Sequence, residues 1–397
     1  MTAHLIPEDM NDPLSQHPAG ASLKAAGTAL TSEECLSPGK QLAGKVCVIT
    51  GAGSGFGRQY ALRAAALGAK IVASDLMKES VDSVVQEIVS AGGVATGILC
   101  DVTEWDSQVR MFHAVDTYGV IDIVIANAGV AEMPAWLAGA TGPDGEPKRP
   151  NFKTYDVNVF GAATTVNLAF YHLNKNPSDG HKAIVIIGSM ASFLPIPAAP
   201  AYTLSKHAML GLARSTYYNG VADGINVNIV CPWFVHTPIL DTPARLLIAG
   251  LPLATVPDVV DAMLYGSSVS DSGLSICVDP TGVLSISQKA FEFGTDGFYL
   301  VFANRAKGAI AFVLSYSISS VVRPDQVSMS PYPSLSTTPN LPAPATDFHR
   351  KSLERTIKDV IKAIDRSPIG GPLWIVGALA AGVMAYAATR GFIGWIR

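Results

Sequence analysis

Residues 45–57 read K-V-C-V-I-T-G-A-G-S-G-F-G, and this pattern indicates the fold class. A continuous apolar run ends there in a glycine-rich turn, and an alanine-rich helical segment follows at once. Glycines between a strand and a helix let backbone N–H groups come close to a pyrophosphate at the helix N-terminus. The motif therefore predicts a dinucleotide site. Its residues are Thr50, Gly51, Gly55, Phe56 and Gly57.

Further apolar runs follow, separated by amphipathic stretches rich in Ala and Leu. They are K-I-V-A-S-D (70–75), I-D-I-V-I-A-N (121–127), A-I-V-I-I-G-S (183–189), N-V-N-I-V-C-P (226–232) and L-S-I-C-V-D (274–279). Strands that are apolar throughout and alternate with helices are typical of a parallel sheet covered on both faces. We therefore expect a doubly wound, Rossmann-type α/β domain over residues 44–282.

Composition excludes several classes of protein. The chain has 397 residues, of which 49% are apolar and 15% charged, and its mean hydropathy is +0.30. A net charge of −4 provides no electrostatic footprint for nucleic acid. The five cysteines are dispersed, without the spacing of a metal site, which predicts reduced thiols inside the cell. The first 40 residues lack an apolar run of signal-peptide length, so secretion is not expected.

The second apolar run ends at Asp75, about 20 residues beyond the glycine motif. A carboxylate at this place accepts hydrogen bonds from the ribose hydroxyls of NAD and repels the 2′-phosphate of NADP. The sequence therefore favours NAD as the cofactor. An NADPH-dependent ketone reductase remains the alternative.

Tyr202 and Lys206 lie four residues apart in A-Y-T-L-S-K-H-A-M-L-G-L-A, which has helical periodicity. This spacing puts both side chains on one face of a helix. The preceding apolar run ends in Ser189, which should lie at the carboxyl edge of the sheet, where ligands bind in such folds. An ammonium near the phenol should lower its pKa toward working pH. Ser189 would then hold a substrate oxygen while Tyr202 exchanges a proton with it.

These motifs together resemble the short-chain dehydrogenase/reductase family over about residues 44–282. The resemblance adds the aspartate on the adenine side of the cofactor, the N-A-G signature, an active-site asparagine and the turn after the sixth strand. In this sequence they stand as Asp101-Val102, Asn127-Ala128-Gly129, Asn158, Pro232-Trp233 and Thr237. Trp233 replaces the glycine that usually follows the proline of that turn.

The resemblance implies a mechanism for the matching residues. Lys206 would bind the nicotinamide ribose and lower the pKa of Tyr202, and Ser189 would position the alcohol or carbonyl oxygen. Asn158 would support a water in the proton relay, and Thr237 would contact the nicotinamide carboxamide. The expected enzyme is an NAD-dependent dehydrogenase or ketone reductase for a lipophilic secondary alcohol. The rival hypothesis is a membrane-tethered dinucleotide-binding protein without turnover.

The segments outside the catalytic domain differ in composition. Residues 1–43 read as a flexible arm, and 283–329 form an extension whose structure the sequence does not define. A Pro/Ser/Thr-rich linker (330–346) and an amphipathic helix (347–366) follow.

Residues 369–389 are uncharged and would span roughly 30 Å as a helix, which is enough to cross a bilayer. Basic residues precede this segment, so we expect a single-pass C-terminal anchor with the catalytic domain facing the cytosol. The alternatives are a cytoplasmic protein in which this helix is buried, or one in which it forms a homo-oligomer.

Overall fold

The computed structural model describes residues 26–132, 141–177, 180–196, 199–239, 248 and 250–288. Contacts divide the chain after Phe291, and every described residue belongs to the first unit. The strands are β1 (Thr28–Leu30), β2 (Val46–Thr50), β3 (Lys70–Asp75), β4 (Val94–Leu99), β5 (Ile123–Ala126), β6 (Ala183–Ile187), β7 (Asn226–Pro232), β8 (Leu274–Asp279) and β9 (Gly282–Ser287).

Helices connect these strands. The α-helices are α1 (Ser32–Leu36), α2 (Gly55–Ala66), α3 (Lys78–Ser90), α4 (Trp105–His113), α5 (Lys153–Tyr155), α6 (Ala162–Lys175), α7 (Pro200–Asp223) and α8 (Val256–Ser268). Short 3-10 helices cover Ser37–Leu42, Ala114–Thr117 and Met190–Ser192. A π-helical turn, Asp156–Gly161, joins α5 to α6.

The described strands form one sheet in the order β1-β9-β8-β7-β6-β5-β2-β3-β4. The seven strands β2 to β8 run parallel to one another. From β2 the chain runs outward through β3 and β4, and it then returns to β5 on the other side of β2. This reversal creates a crevice between the carboxyl ends of β2 and β5, where ligands bind in doubly wound sheets.

Successive side chains of the central strands point to opposite faces of the sheet and contribute to two hydrophobic cores, one on each face. Ile49 and Ile125 face a cluster that includes side chains of α2, α3 and α8, and both are fully buried. Val48 and Val124 face the opposite cluster, which includes side chains of α4, α6 and α7. Each fully buried aliphatic side chain contributes about 1.5–3 kcal/mol. The predicted sheet covered by helices on both faces is confirmed.

The predicted flexible arm is wrong for residues 28–42. Strand β1 pairs antiparallel with β9 at the edge of the sheet. Helix α1 begins with a capping box, in which the Glu34 N–H donates to Thr31 Oγ1 at 3.2 Å and the Thr31 N–H to Glu34 Oε2 at 2.8 Å. Cys35 in this helix is fully buried. The segment is therefore an integral part of the domain.

Two further strands, β4 and β9, were not predicted from the sequence. β9 lies across the expected boundary at residue 282 and runs antiparallel to β8, so the sheet is not parallel throughout. β4 is an edge strand whose residues are exposed or half-buried, and it contains Gly97. It therefore lacks the continuous apolar run that marks the central strands.

None of the described helices is both long and apolar enough to cross a membrane. The predicted linker (330–346), amphipathic helix (347–366) and membrane segment (369–389) lie outside the described residues. The expectations about them stay predictions.

Candidate active site

The turn after β2 leaves no room for side chains at two glycines. Gly51 has a φ of +65°, and a Cβ there would lie 2.9 Å from Ala128 Cα. A Cβ on Gly57 would lie 2.2 Å from the Gly51 carbonyl oxygen, so the first turn of α2 packs directly on the loop. A Cβ on Gly55 would meet no atom within 4 Å. The loop is thus closed toward the protein and open at the N-terminus of α2.

The N-A-G signature, which follows β5, is hydrogen-bonded to this loop. The Asn127 side-chain amide donates to the carbonyl oxygens of Thr50 and Gly51, at 2.9 and 3.0 Å. The backbone N–H groups of Asn127 and Ala128 both donate to Thr50 Oγ1, at 3.0 and 3.1 Å. These bonds cross the crevice between β2 and β5, so the predicted cofactor residues of both strands form one structure.

Asp75 ends β3 beside the same loop. Its Oδ2 accepts a hydrogen bond from the Gly53 N–H at 3.0 Å, and its Oδ1 accepts one from the Met77 N–H at 3.1 Å. A carboxylate has about four acceptor positions, so these two bonds leave capacity for further donors. The structure places Asp75 where the sequence predicted it.

Asp101 follows β4, the neighbour of β3. Burial raises its pKa, but hydrogen bonds from the Thr103 N–H and hydroxyl and the charge of Lys153 together lower it more, so the net pKa lies below the usual value. A cleft of about 440 Å³ opens beside Asp101, with Leu76 and Leu99 in its wall. Those two side chains are 57% and 54% exposed and present apolar surface to solvent. Val102 packs toward Gly161 in the π-helical turn.

Ser189 lies just beyond the end of β6. Its Oγ accepts a hydrogen bond from the Ala191 N–H at 3.1 Å and donates one to the Pro232 carbonyl at 3.4 Å. The side chains of Ser189 and Tyr202 also interact, which lowers the pKa of Tyr202 in part. The structure therefore brings the predicted serine and tyrosine together, although they come from β6 and α7.

Lys206 lies one turn after Tyr202 on α7. Its Nζ is 5.6 Å from the Tyr202 ring centroid and donates to the Ile187 carbonyl oxygen at 3.0 Å. Burial lowers the pKa of Lys206 to about 8, and a nearby Cys231 opposes that shift. The ammonium is therefore near the phenol ring, but its hydrogen bond goes to the backbone of β6.

The pKa of Tyr202 differs from the expectation. Burial raises it above its ordinary value, the interaction with the Ser189 side chain lowers it in part, and Cys231 raises it further. Desolvation of the phenol, which the spacing of Tyr202 and Lys206 does not show, is the largest cause. The lowering expected from Lys206 stays a prediction.

Asn158 lies in the π-helical turn and is buried. Its Oδ1 accepts from the Val130 N–H at 2.8 Å, and its Nδ2 donates to the Val130 carbonyl at 2.9 Å and to Ser205 Oγ at 3.1 Å. A Cβ on Gly129 would lie 3.3 Å from Asn158 Oδ1 and 3.8 Å from Lys206 Nζ. Gly129 therefore lies between the asparagine and the lysine.

Trp233 departs from the family pattern, and both its backbone N–H and its indole N–H donate hydrogen bonds. Its backbone N–H donates to the Val278 carbonyl at 2.7 Å, and its indole Nε1 donates to the Pro252 carbonyl at 3.1 Å. The segment 250–255 is thus fastened to the residues that follow β7. Thr237 follows Trp233 by four residues and is buried.

A family model described as short chain dehydrogenase matches residues 45–244, half of the chain. This chain belongs to the short-chain dehydrogenase/reductase family. The matched range begins at β2 and includes the glycine turn, the N-A-G signature, Asn158, Ser189, Tyr202 and Lys206.

Named relatives and solved structures agree with this assignment. The 5′-hydroxyaverantin dehydrogenase of Dothistroma septosporum is 29% identical over 62% of this chain and 87% of its own length. The borneol dehydrogenase of Lavandula x intermedia is 32% identical over 60% and 91%. A 3-ketoacyl-(acyl-carrier-protein) reductase from Brucella melitensis, crystallised with NADH, superimposes with a TM-score of 0.53 at 27% identity, covering 60% and 98%. The chain is accordingly an oxidoreductase that acts on alcohol or ketone groups.

Two further residues of the short-chain dehydrogenase site carry no motif in the sequence. Glu132 accepts a hydrogen bond from the Tyr202 N–H, and Ser205 bonds Asn158. Burial raises the pKa of Glu132, whereas the N–H groups of Tyr202 and Ala201 lower it in part. One signal could have indicated Glu132: α7 begins at A-A-P (198–200) without Ser, Thr, Asp or Asn as its N-cap.

Proposed function

We propose that this short-chain dehydrogenase interconverts a hydrophobic secondary alcohol and its ketone through a Ser-Tyr-Lys site. The observation that carries the proposal is the grouping of four polar side chains at the carboxyl edge of the sheet. They are Asn158, Ser189, Tyr202 and Lys206. Ser189 interacts with Tyr202, and Lys206 lies beside the Tyr202 ring. Asn158 is bonded to Val130 and is separated from Lys206 by Gly129.

The residues around the glycine turn fit a nicotinamide dinucleotide. The turn is closed to side chains on its protein side and open at the N-terminus of α2, where N–H groups and the helix dipole favour a pyrophosphate. The residues that would hold the cofactor also include Asp75, Asp101, Lys206 and Thr237. The carboxylate of Asp75 supports NAD as the preferred form.

Ser189 and Tyr202 would act on the substrate oxygen. Ser189 Oγ orients that oxygen, and the Tyr202 hydroxyl donates a proton to it during ketone reduction or accepts one during alcohol oxidation. Lys206 places a positive charge beside the phenol, which stabilises the phenolate form. Asn158, held by Val130, positions a water that carries the proton onward. The nicotinamide ring, when bound, supplies or accepts the hydride.

A hydrophobic substrate is supported by the relatives. Two of them are named for 5′-hydroxyaverantin and for borneol. In this chain, Phe193 and Trp233 closely follow Ser189 and Pro232, and both are partly buried against the core. Large apolar side chains near the oxygen-binding serine suit a substrate that is itself largely hydrocarbon.

The test is NAD reduction by the full chain, followed at 340 nm with a panel of borneol, hydroxysteroids and long-chain secondary alcohols. Tyr202→Phe should lose about 10²- to 10⁴-fold in kcat and keep its affinity for NAD. Tyr171→Phe, which removes a hydroxyl from an exposed residue of α6, is the matched control and should keep full activity. Binding of NAD without turnover of any alcohol would favour the non-catalytic binding protein.

A further inference from the structure

Helix α7, which carries Tyr202 and Lys206, obtains its N-terminal cap from a distant residue. Its N-cap, Ala199, has no side chain that accepts a hydrogen bond. The Tyr202 N–H instead donates to Glu132 Oε2 at 2.6 Å. Glu132 lies three residues after the N-A-G signature, on the segment that follows β5. A carboxylate at a helix N-terminus is favoured by the helix dipole and by the free N–H groups there.

The three residues 130–132 are each fastened to a different part of the site. Val130 bonds Asn158 through both its N–H and its carbonyl. The Ala131 carbonyl accepts a hydrogen bond from Thr154 Oγ1 at 3.1 Å. Glu132 bonds α7. This segment therefore links the π-helical turn to the helix that carries the tyrosine.

The bonds close a ring around the backbone of Tyr202. Its N–H is held by Glu132, while its carbonyl oxygen accepts from Ser205 Oγ at 2.7 Å. Ser205 Oγ in turn accepts from Asn158 Nδ2 at 3.1 Å. Asn158 bonds Val130, two residues from Glu132, which completes the ring. Both polar groups of the Tyr202 backbone are thus bonded. Ser205, which binds the carbonyl, also bonds the expected water-binding asparagine, and Glu132, which binds the N–H, lies two residues from Val130.

We propose that Glu132 is a positioning residue for the reaction, which holds Tyr202 in line with Ser189 without contacting the substrate. The inference rests on the proposed function, since it assigns the proton transfer to Tyr202. Misplacement of a catalytic group by about 1 Å can cost roughly 10²-fold in rate. Loss of the carboxylate should therefore lower kcat while leaving the cofactor residues of β2 and β3 in place.

The experiment compares Glu132→Ala and Glu132→Gln with the wild-type chain. Glu132→Ala should lower kcat by about 10- to 100-fold, with the KM for the alcohol and the Kd for NAD changed less than about threefold. Glu132→Gln keeps an oxygen that can accept from the Tyr202 N–H, so it should recover most of the lost kcat. Glu146→Ala, an exposed glutamate in the same connection, is the control and should behave as wild type.

Two outcomes overturn the positioning role. One is a kcat for Glu132→Ala within twofold of wild type. The other is a Glu132→Gln variant that loses as much kcat as Glu132→Ala, because the acceptor alone would then not restore the tyrosine. The Tyr202→Phe control separates the two hypotheses. If wild type turns over and Tyr202→Phe does not, an active Glu132→Ala refutes only the role of Glu132, whereas a wild type without turnover contradicts the proposed function.

Discussion

The carboxylate of Asp75 accepts a hydrogen bond from the backbone N–H of Gly53 at 3.0 Å. The bond joins the end of β3 to the glycine loop after β2. A Cβ on Gly53 would lie 2.9 Å from the same carboxylate oxygen, so loop and carboxylate are in close contact. The residue expected to select the cofactor therefore also shapes the loop expected to bind its pyrophosphate.

We predict that Asp75→Ser narrows the preference for NAD over NADP. The wild-type chain should bind NAD at least tenfold more tightly, about 1.4 kcal/mol, because a 2′-phosphate would face the carboxylate. The substitution should also weaken the binding of NAD, since the Gly53 N–H loses its carboxylate acceptor. Asp223→Ser, which changes the net charge equally at the far end of α7, should leave the ratio unchanged. Equal wild-type affinities, measured by calorimetry, would refute the assignment of Asp75.

Gly57→Ala should abolish cofactor binding. The added methyl would lie 2.2 Å from the Gly51 carbonyl and 2.5 Å from Asn127 Nδ2, so α2 must move away from the loop. We expect the free energy of unfolding to fall by at least about 1–3 kcal/mol. We also expect no measurable affinity for NAD. The control is Gly211→Ala on α7, where a Cβ meets no atom within 4 Å. That variant should bind NAD normally and gain up to about 1 kcal/mol from helix propensity.

The depressed pKa of Lys206 predicts a pH-dependent stability. Its folded value of about 8 lies below the ordinary 10.5, so between these values the unfolded chain binds a proton that the folded chain has released. Stability should therefore rise with pH over this interval, by up to about 3 kcal/mol for a shift of this size. Urea unfolding of the cofactor-free protein at several pH values between about 7 and 10 measures it.

The reference for that measurement is Lys206→Met. The buried thiols of Cys35 and Cys47, whose pKa values burial raises to about 12, oppose the trend above their unfolded pKa. They are present in both proteins, so their effect cancels in the difference. Wild type should gain stability relative to Lys206→Met as the pH rises. A difference independent of pH would show that Lys206 keeps an ordinary pKa.

Much of the fold could be predicted because its central strands are buried on both faces. The run at 70–75 coincides with β3, and those at 226–232 and 274–279 coincide with β7 and β8. The strands at or next to the two edges of the sheet gave no such signal. β4 is half-exposed, and β1 and β9 pair with each other across almost the whole domain, which local periodicity cannot reveal.

The candidate site was predictable where a motif states it and not where it depends on burial or on distant contacts. Ser189 and Tyr202 were expected to lie together, and their side chains interact. The raised pKa of Tyr202 depends on desolvation, which the spacing of Tyr202 and Lys206 does not report. Glu132 was missed because its partner, the Tyr202 N–H, belongs to a helix 70 positions later.

We predict that residues 369–389 retain the protein with membranes. The segment is uncharged and long enough to span a hydrocarbon core as a helix, and basic residues precede it. Full-length protein should stay in the pellet after alkaline-carbonate extraction, whereas a chain ending at Ser367 should be released. Equal release of both would rule out a spanning segment and favour a helix buried in the protein or in an oligomer.

The pairing of β1 with β9 has a consequence for the order of folding during synthesis. Leu30 lies opposite Val283, so about 250 residues must be made after β1 before its partner exists. At roughly 5–20 residues per second, β1 leaves the ribosome roughly 10–50 s before β9 can pair with it. Its three residues are too few to hold a conformation alone during that interval. The edge formed by the first strand is therefore completed last, and a nascent chain released before residue 287 would expose an unfinished sheet edge to other chains.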